Sequence, residues 1–493
     1  MFLLYHTEDI FLFPISSFTL PTAFCNHYAP ILGSEAELFF ETCLKPLRKC
    51  IRVNTLKTTV EEWKKEMDEQ NWKYEEIPWC PEGFFIDRPK SDRTPLGKTL
   101  PHAMGRIYSQ EASSMMPAEI LWASLKNGEK TLKILDVASA PGSKSTQLGA
   151  KMKGQGLLVT NELSSSRMKG LFSNLERCGI ANSILTHYDG VELCNNLPEV
   201  FDGILLDAPC TGEGTVRKDY DALKNWKPEN AVQMASLQKR LIFSAFEALK
   251  PGGTLVYSTC TLAEEENEGV IRFLKESFPN AEISPLNNTF LGAEKACTKE
   301  GFLRIWPHIF DTEGFFVARI TKQISPLRVD PKGRLKKIPK NFPFTPVLRR
   351  EMSGIEAYFQ NQWGIPGAEI WENGTLWRRD KEIWLFPKGA EEIFVPLRCD
   401  RIGIPLCTIH EKEIRLRHEA AIAFGALFTS GMLEISEVDA EKVYGGKDLE
   451  WETEKFLEKR EYLCFSAGTP VALGKYDGEK WKNGIPRGNV RKG

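Results

Sequence analysis

The chain has 493 residues with 64 basic and 66 acidic side chains, which gives a formal net charge of −2. Its hydrophobic fraction of 42% and charged fraction of 26% are those of globular proteins and exclude a chain that is disordered throughout. The length predicts several domains, and the near-neutral charge means that any polyanionic partner must be met by local basic patches. Twelve cysteines lack the spacing of a disulfide scaffold or a zinc site, so we expect a cytoplasmic protein without a bound metal.

The N-terminal part of the chain carries a short α/β pattern. The stretch 2–20 is apolar, but charged residues interrupt it and no basic segment precedes it, so we interpret it as mature sequence. Strand-like runs at 50–53 and 83–86 surround a helix-like segment at 59–70. Residues 1–117 are therefore predicted to form a small accessory α/β domain. No uninterrupted run of 18 apolar residues occurs in the chain, so no membrane span is expected.

A repeated alternation of strand-like and helix-like segments begins at Leu132 and continues to Phe278. The strand-like runs are almost continuously apolar, which is typical of parallel strands that are buried on both faces. This pattern predicts a doubly wound parallel sheet in a domain that spans residues 118–324. Two later runs, 302–306 and 314–320, are interpreted as an antiparallel hairpin added to that sheet.

Residues 325–380 are rich in Pro, Lys and Arg at their start and predict a basic linker with a helical connector. Two interpretations stay open for this segment, a solvated connection between domains or a contact with RNA phosphates. Beyond it, short strand-like runs such as 382–386 predict a small β-rich domain over residues 381–493. The basic residues of the linker are Arg328, Lys332, Arg334, Lys336, Lys337, Lys340, Arg349 and Arg350.

A turn of small residues separates the strand at 133–137 from the next helix, where a ligand can approach the backbone and the helix N-terminus. It lacks the Gly-x-Gly-x-x-Gly and Walker A spacings, which weakens a phosphate-cradle interpretation. Glu162 follows the next strand, near the place of the ribose-binding carboxylate in dinucleotide folds, and Asp189 follows the strand after that. Either acid alone is as easily a helix cap, but together they favour an adenosine ligand without a pyrophosphate, such as S-adenosylmethionine. The turn consists of Ala138, Ser139, Ala140, Pro141, Gly142, Ser143 and Lys144.

Two cysteines, Cys210 and Cys260, close two separate apolar strand-like runs. Because the carboxyl ends of parallel strands form the ligand crevice, both thiols are predicted to face a bound substrate. Methylation of cytosine at C5 needs a thiolate at C6 and then a base for the C5 proton, and two thiols can divide these tasks. Asp207 lies beside them and can hydrogen-bond the cytosine ring. For either cysteine alone, a buried inert thiol is the commoner interpretation.

Six motifs extend from the N-terminal part of the chain through the two cysteine segments. They are Ile51-Arg52-Val53-Asn54-Thr55-Leu56-Lys57, Gln110-Glu111-Ala112-Ser113-Ser114, Asp207-Ala208-Pro209-Cys210-Thr211-Gly212-Glu213-Gly214, Val216-Arg217-Lys218-Asp219, Tyr257-Ser258-Thr259-Cys260-Thr261 and Glu264-Glu265-Glu266-Asn267-Glu268. With the turn at 138–144, these motifs closely resemble the RNA cytosine-C5 methyltransferases of the NOL1/NOP2/sun family, from about Pro46 to the end of the chain. The resemblance implies a class I, Rossmann-like S-adenosylmethionine-dependent methyltransferase core between a small N-terminal α/β domain and a C-terminal PUA-like, β-rich domain, with RNA bound by both flanking domains. Within the family, the chain looks most like a bacterial type that acts on 16S ribosomal RNA.

The resemblance also implies residue roles. Cys260 would be the nucleophile that attacks C6, and Cys210 would assist resolution of the adduct, with Asp207 beside them. The implied cofactor is S-adenosyl-L-methionine without a metal, and the implied partner is 16S rRNA or the small ribosomal subunit, bound by a monomeric enzyme. The cofactor site would comprise Ala138, Ser139, Ala140, Pro141, Gly142, Ser143, Lys144, Glu162, Asp189 and Asp207.

Two alternative functions stay open. A related methyltransferase acting on transfer RNA, another RNA or DNA would share most of these motifs, but DNA cytosine enzymes use the Pro-Cys thiol, here Cys210, as nucleophile. A non-catalytic RNA-binding ribosome assembly factor would keep the fold, and the intact thiol pair and acids argue against it. Ser139 and Thr211 stand where the family commonly has Ala and Ser, and neither change affects the expected chemistry.

An enzyme of this kind needs an RNA-binding surface beyond its crevice, because the target base must be unpaired or taken out of the stack. For each basic residue alone, solvated charge is the default interpretation, and only their clustering favours RNA. The candidates outside the linker are Lys45, Arg48, Lys49, Arg52, Lys57, Lys475, Lys480, Lys482, Arg487, Arg491 and Lys492.

Overall fold

The computed structural model describes residues 19–125, 132–324, 338, 341–411, 413–450 and 458–491. Its N-terminal region starts with two helices, continues with four strands and ends in a helix that leads to the central sheet. The elements are α1 (Thr22–Leu32), α2 (Ala36–Cys43), β1 (Lys49–Val53), α3 (Val60–Glu69), β2 (Lys73–Ile77), β3 (Cys80–Asp87), α4 (Leu100–Ala103), β4 (Ile107–Ser109) and α5 (Met116–Ser124).

The four N-terminal strands form an antiparallel sheet in the order β2-β3-β1-β4, and α3 packs against it. The side chain of Thr59 accepts a hydrogen bond from the Glu62 backbone N–H, and the Glu62 carboxylate accepts one from the Thr59 backbone N–H, a capping box that fixes the start of α3. Trp63 is fully buried between this helix and the sheet. The strands and helix predicted for this region are therefore present.

Helices α1 and α2 lie elsewhere, against the central domain. Phe24, Tyr28 and Phe39 share a hydrophobic core with Val216 and Leu262, which belong to the segments that follow the two candidate catalytic cysteines. The N-terminal helices thus support the loops that carry the site.

The central region contains the alternating strands and helices that the sequence predicts, with bounds that differ by a few residues. The elements are β5 (Lys133–Asp136), α6 (Ser143–Met152), β6 (Leu157–Asn161), α7 (Ser165–Arg177), β7 (Ser183–Thr186), α8 (Gly190–Asn195), β8 (Phe201–Asp207), α9 (Pro228–Ala248), β9 (Leu249–Thr259), α10 (Glu268–Ser277), β10 (Ala281–Ile283), β11 (Leu303–Ile305), α11 (Pro307–Phe310) and β12 (Phe315–Lys322).

The central sheet has the strand order β10-β12-β9-β8-β5-β6-β7, and strands β5 to β9 are parallel. Strand β12 runs antiparallel to β9 and pairs with β11, which confirms the predicted hairpin. Neighbouring residues such as Ile134 and Leu135 belong to two different cores, one on each face of the sheet. The predicted α/β fold class with a doubly wound sheet is therefore confirmed, and burial on both faces explains the continuously apolar strands.

The C-terminal region contains two further sheets. Its elements are β13 (Thr345–Pro346), α12 (Arg349–Tyr358), α13 (Gly367–Trp371), β14 (Gly374–Arg379), β15 (Glu382–Pro387), α14 (Glu391–Phe394), β16 (Arg401–Ile402), β17 (Ile404–Ile409), β18 (Ile414–Leu416), α15 (His418–Phe424), β19 (Met432–Glu434), α16 (Glu437–Tyr444), β20 (Leu449–Glu450), β21 (Glu461–Ser466), β22 (Thr469–Tyr476) and β23 (Lys480–Asn483).

The first C-terminal sheet has the order β13-β14-β15-β17-β18 and the second has the order β19-β21-β22-β23-β20. Strand β16 leaves this region and pairs antiparallel with β7 at the end of the central sheet. The predicted domain boundary at residues 380–381 falls in the turn between β14 and β15, which pair over six residues, so that boundary divides a sheet. The other domain limits stay predictions.

Most of the predicted basic linker, from Arg328 to Lys340, lies outside the described residues. Arg349 and Arg350 open α12, and Phe342 stacks on Phe394 with ring centroids 4.5 Å apart, so the described part of the segment is folded against its neighbours. Within the described ranges, no helix has the length and apolar character needed to span a bilayer.

Candidate active site

The two predicted cysteines meet at the carboxyl end of the central sheet. Cys210 lies three residues after β8 and Cys260 directly follows β9, and these two strands are parallel neighbours. Their Sγ atoms are 3.3 Å apart, and both residues are partly exposed. The sheet topology therefore brings together two thiols that are 50 residues apart in the chain.

A buried carboxylate, Glu266, fixes the loop that carries Cys210. Its side chain accepts hydrogen bonds from the Thr211 backbone N–H at 3.1 Å and from Gln238 Nε2 at 2.7 Å, and the Thr211 hydroxyl donates to it as well. Gln238 also donates to the Pro209 carbonyl at 2.8 Å. The residues on both sides of Cys210 are thus held by one acid and one amide.

A second buried carboxylate, Glu213, links the two cysteine loops to each other. It shares the single Thr211 hydroxyl proton with Glu266, at 2.7 Å in its own loop, and accepts from Thr261 Oγ1 at 2.6 Å and the Leu262 N–H at 2.9 Å in the other loop. The Tyr28 hydroxyl of α1 donates to the same carboxylate at 2.8 Å. Glu213 and Glu266 are both fully buried, so each is satisfied by several donors as a buried charge requires.

Gly214 allows the two loops to come into backbone contact. Its N–H donates to the Cys260 carbonyl at 3.0 Å, and its own carbonyl accepts from the Gly314 N–H at 2.9 Å. A Cβ at Gly214 would lie 2.3 Å from the Gly314 oxygen and 2.6 Å from the Cys260 oxygen. No larger residue fits there without moving both loops, which explains the glycine in the Thr211-Gly212-Glu213-Gly214 segment.

The two thiols stand in different electrostatic surroundings. The Cys210 thiol has a pKa well above the ordinary value. The hydrogen bond with Cys260 and the burial of Cys210 are the main causes, and the charges of Cys260, Glu266 and Glu213 raise the pKa further. The negative charges near Cys210 therefore favour its protonated form.

A cation is held at the carboxyl ends of β8 and β9. Lys144 Nζ donates to Asp207 Oδ2 at 2.7 Å and to Ser114 Oγ at 2.9 Å, and Ser258 Oγ donates to Asp207 Oδ1 at 2.7 Å. Burial lowers the pKa of Lys144, but the charge and hydrogen bond of Asp207, together with the charges of Asp136 and Cys260, outweigh it, and the net pKa is raised. Lys144 is therefore held as an ammonium, and Cys260 is one of the groups that its charge acts on.

The predicted cofactor turn lies against the end of the next strand. The Ser139 N–H donates to the Asn161 carbonyl at 2.8 Å, and the Asn161 N–H donates to Ser139 Oγ at 3.1 Å. Gly142 adopts a φ of +105° immediately before α6, a conformation that favours glycine. The serine at 139, which departs from the family pattern, thus fastens the turn to β6.

The two predicted cofactor acids make local hydrogen bonds. Glu162 is buried and accepts from the Ala140 N–H at 3.2 Å and the Ser164 N–H at 2.8 Å. Asp189 is partly exposed and caps α8 through the Val191 N–H at 2.8 Å. Because β5, β6 and β7 are consecutive in the sheet, the turn and both acids lie along one edge of the crevice.

Sequence reasoning missed Asp136, the last residue of β5. It is 1% exposed, its Oδ2 accepts from Ser145 Oγ at 2.6 Å, and its Oδ1 has no hydrogen-bond partner among the described residues. Burial raises the pKa of Asp136 to about 6, although the Ser145 hydrogen bond opposes the shift. An acid at a strand end directly before the turn was the signal in the sequence that could have identified it.

The structure corrects two of the predicted RNA contacts. Arg52 is 2% exposed, and its guanidinium donates to Gln110 Oε1 and Thr146 Oγ1, each at 2.9 Å. Lys57 donates to the Ile422 carbonyl, and burial lowers its pKa to about 8. Both residues join parts of the protein to one another, whereas the other predicted basic residues within the described ranges are exposed or partly exposed.

One cluster has the residue types of a metal site. Ligand atoms of Cys80, Glu82 and Glu119 lie within 4.8 Å of one another. Lys151 forms ion pairs with both carboxylates, at 3.2 and 2.9 Å, so a cation already offsets part of their negative charge.

Comparison with known proteins gives matches along most of the chain. Residues 121–321 match the family described as 16S rRNA methyltransferase RsmB/F, residues 20–112 match the N-terminal domain of 16S rRNA methyltransferase RsmF, and residues 344–424 match the pre-PUA domain of ribosomal RNA small subunit methyltransferase F. The match to an N-terminal family domain from residue 20 extends the resemblance beyond its expected start near Pro46.

Individual relatives agree with these matches. The chain is 47% identical to ribosomal RNA small subunit methyltransferase F of Aliivibrio fischeri over 479 residues, which cover 96% of this chain and 98% of the relative. It is also 47% identical to the protein of the same name from Escherichia coli, over 96% of this chain and 97% of that one. A solved structure of a methyltransferase homologue from Pyrococcus horikoshii is 34% identical with a TM-score of 0.51, and the match covers 61% of this chain and 94% of that chain.

Proposed function

The chain belongs to the RsmF branch of the 16S rRNA methyltransferase RsmB/F family, and from this premise we propose that it methylates C5 of one cytosine in 16S rRNA through a covalent cysteine adduct. The observation that carries the proposal is the pair of thiols 3.3 Å apart at the carboxyl ends of β8 and β9. A thiolate nucleophile and a separate proton acceptor are the two groups that this reaction demands.

We assign S-adenosyl-L-methionine to the edge formed by residues 138–144, with Glu162, Asp189 and Asp207 as further contacts. The unpaired Oδ1 of Asp136 fits this assignment, because it is a buried acceptor left without a donor beside the turn. The positive φ at Gly142 fits as well, because it lets the backbone turn tightly before α6. When bound, the cofactor supplies an electrophilic methyl group.

The first step is addition of Cys260 to C6 of the cytosine. A C–S bond forms, and the electron pair of the C5–C6 double bond becomes available at C5 for the methyl group. This step requires the thiolate form of Cys260, and Cys260 is one of the groups that the charge of Lys144 acts on. Asp207, held by Lys144 and Ser258, hydrogen-bonds the amino group and the protonated N3 of the ring in the adduct.

The second step is loss of the C5 proton, after which the C5–C6 double bond re-forms and Cys260 leaves as a thiolate. Cys210 is the proton acceptor in this proposal. In the free enzyme, the hydrogen bond with Cys260 is the largest cause of the raised pKa of Cys210, followed by burial and by the charge of Cys260. Formation of the C–S bond removes both this hydrogen bond and this charge and so lowers the pKa of Cys210, whose proton passes to solvent and leaves a base beside C5. One proton is released overall.

The test compares single substitutions of the two cysteines in the full chain, with labelled methyl donor and unmodified small-subunit RNA or subunits. We expect Cys210→Ala to form an RNA adduct that survives denaturing electrophoresis, because attack proceeds and release fails. Cys260→Ala should form no adduct and lose at least about 10³-fold in turnover, as expected for a missing nucleophile. Turnover by Cys260→Ala with loss of activity in Cys210→Ala would reverse the roles and contradict the proposal.

The target base is located by bisulfite sequencing of ribosomal RNA from cells with and without the gene. The proposal is supported if one 16S rRNA position carries a 5-methylcytosine signal in cells with the gene and lacks it in cells without the gene. Loss confined to transfer RNA would instead support the alternative substrate. No change in any RNA, together with no methyl transfer by the purified protein, would favour the non-catalytic assembly factor.

We further assign RNA contacts to two basic clefts, one in the N-terminal region and one in the C-terminal region. A cleft of about 750 Å³ in the N-terminal domain includes Arg48, Lys49, Arg88 and Arg93. A cleft of about 950 Å³ between the two C-terminal sheets includes Arg415, Arg417, Lys459, Arg460, Lys475 and Lys482. The affinity for RNA should depend on salt concentration, and reversing the charge of these residues should weaken it. Both results would support the assignment.

A further inference from the structure

A cleft of about 570 Å³ opens beside Cys210. The segment 221–226 and the first turns of α9 line it, together with Cys210 and Thr211. Its volume lies within the range of about 300–1,000 Å³ that is usual for ligand sites. None of the residues assigned to the cofactor lines this cleft, so it is a separate space that shares only the cysteine loop with the reaction centre.

The lining combines apolar contacts with free amide groups. Met234 and Leu237 are partly buried, whereas Asn225 and Gln233 are exposed. Within the described ranges, neither the Asn225 nor the Gln233 side chain has a hydrogen-bond partner in the protein. Such amides can pair with the edge of a base, and apolar side chains can contact its face.

The charge of the lining distinguishes a base from a phosphate. Asp221 is the charged residue of the lining, and no Lys or Arg takes part among the residues that line the cleft. A phosphate there would meet an uncompensated carboxylate, whereas a neutral base would meet amides and apolar groups.

We propose that this cleft binds the base of the nucleotide next to the target cytosine in the RNA strand. The proposal rests on the methyl-transfer function above, and it gives that function a sequence preference. The target base must lie beside Cys210 and Cys260. Since Cys210 and Thr211 also line the cleft, the adjacent nucleotide of the strand lies next to the cleft. Asn225 and Gln233 then read the edge of that neighbouring base, while Met234 and Leu237 contact its face.

The experiment uses the full-length enzyme and RNA that carries an abasic nucleotide on the 5′ or the 3′ side of the methylated cytosine. For the wild-type enzyme, an abasic nucleotide on one of the two sides should raise KM about tenfold with little change in kcat. The double variant Asn225→Ala, Gln233→Ala should show a similarly raised KM on intact RNA and no further loss on the abasic RNA. Both residues are exposed, so the variant is expected to fold normally.

Ser236→Ala is the matched control, because Ser236 is an exposed residue of the same helix outside the cleft. It should keep the wild-type KM and the wild-type penalty for the abasic nucleotide. The proposal is wrong if the double variant keeps the wild-type KM on intact RNA. It is also wrong if the abasic nucleotide raises the KM of the double variant as much as it raises the KM of the wild type. A wild-type enzyme that methylates no RNA at all would instead contradict the proposed function.

Discussion

The loops of Cys210 and Cys260 carry the same side chain at the ends of neighbouring strands, but the buried carboxylate Glu266 holds only the Cys210 loop. Glu213, the second buried carboxylate, accepts hydrogen bonds from both loops. The ammonium of Lys144 is held by Asp207 at the end of β8. The difference teaches that two thiols 3.3 Å apart can meet different neighbours, since the carboxylates near Cys210 favour its protonated form.

The comparison bears on the proposed division of roles. Its hydrogen bond with Cys260, its burial and the nearby carboxylates raise the pKa of Cys210, so this thiol must lose its own proton before it can accept the C5 proton. Cysteine chemistry alone allowed either assignment. Three substitutions can break or sharpen this contrast between the loops.

The largest effect is expected from Lys144→Gln, which removes the cation from the Cys260 side. Methyl transfer should fall by about 10²-fold or more, as it does when one preorganised charge-stabilising donor is lost. Alkylation of Cys260 by iodoacetamide, followed by peptide mass spectrometry, should also slow, because a positive charge that acts on this residue is lost. Alkylation is measured without cofactor, so a lost cofactor contact cannot explain the result.

Lys250→Gln is the matched control for this substitution. Lys250 forms an ion pair with Asp202 at 2.6 Å, near the opposite end of β8 from Asp207. It should retain both alkylation rate and methyl transfer. Equal losses in the two variants would show that Lys144 has no special relation to the thiols.

A smaller effect is expected from Glu313→Gln, beside the glycine that joins the Cys210 loop. Burial and the charge of Glu111 raise the pKa of Glu313 to about 8. Between about pH 4.5 and 8 the folded protein therefore holds a proton that the unfolded chain lacks, so this residue reduces stability progressively as pH rises through that window. The free energy of unfolding of wild type and variant is measured at pH 5 and at pH 8.5. Between these two pH values, the stability of the variant relative to wild type should rise by more than about 1.4 kcal/mol, the free energy of one pKa unit. A stability difference that is the same at both pH values would contradict the buried charge.

The smallest effect is expected from Glu266→Gln, which removes one negative charge from the Cys210 side. The pKa of Cys210 should fall toward its ordinary value, and its alkylation at pH 8 should become about two- to fivefold faster. Glu264→Gln is the control, because Glu264 is exposed two residues earlier and pairs with Arg272. Unchanged labelling of Cys210 in Glu266→Gln would mean that the carboxylate acts only as a brace for the loop.

Local pattern was sufficient to predict the central sheet. Continuous apolar runs at the positions of β5 to β9 predicted the parallel strands. The ends of these runs predicted that Cys210, Cys260 and Asp207 lie at the carboxyl edge of the sheet. These predictions succeeded because a strand that is buried on both faces has a composition that few other elements share.

Contacts between distant segments could not be predicted in the same way. Tyr28 donates to Glu213 across 185 residues of sequence, and no local pattern marks that pair. Glu264, Glu265 and Glu266 read alike in sequence, yet only Glu266 turns inward to Thr211. Arg52 was predicted as a surface cation because the sequence shows its charge but does not show that it bonds buried Gln110.

The pairing of β16 with β7 makes the C-terminal region part of the catalytic sheet. A fragment that ended after β12 would leave the backbone groups of β7 open at the sheet edge, a surface on which other chains readily add strands. We therefore expect an isolated fragment that ends after β12 to aggregate more readily than the full chain. The two-residue strand that covers this edge is encoded almost 80 residues beyond the last strand of the core itself.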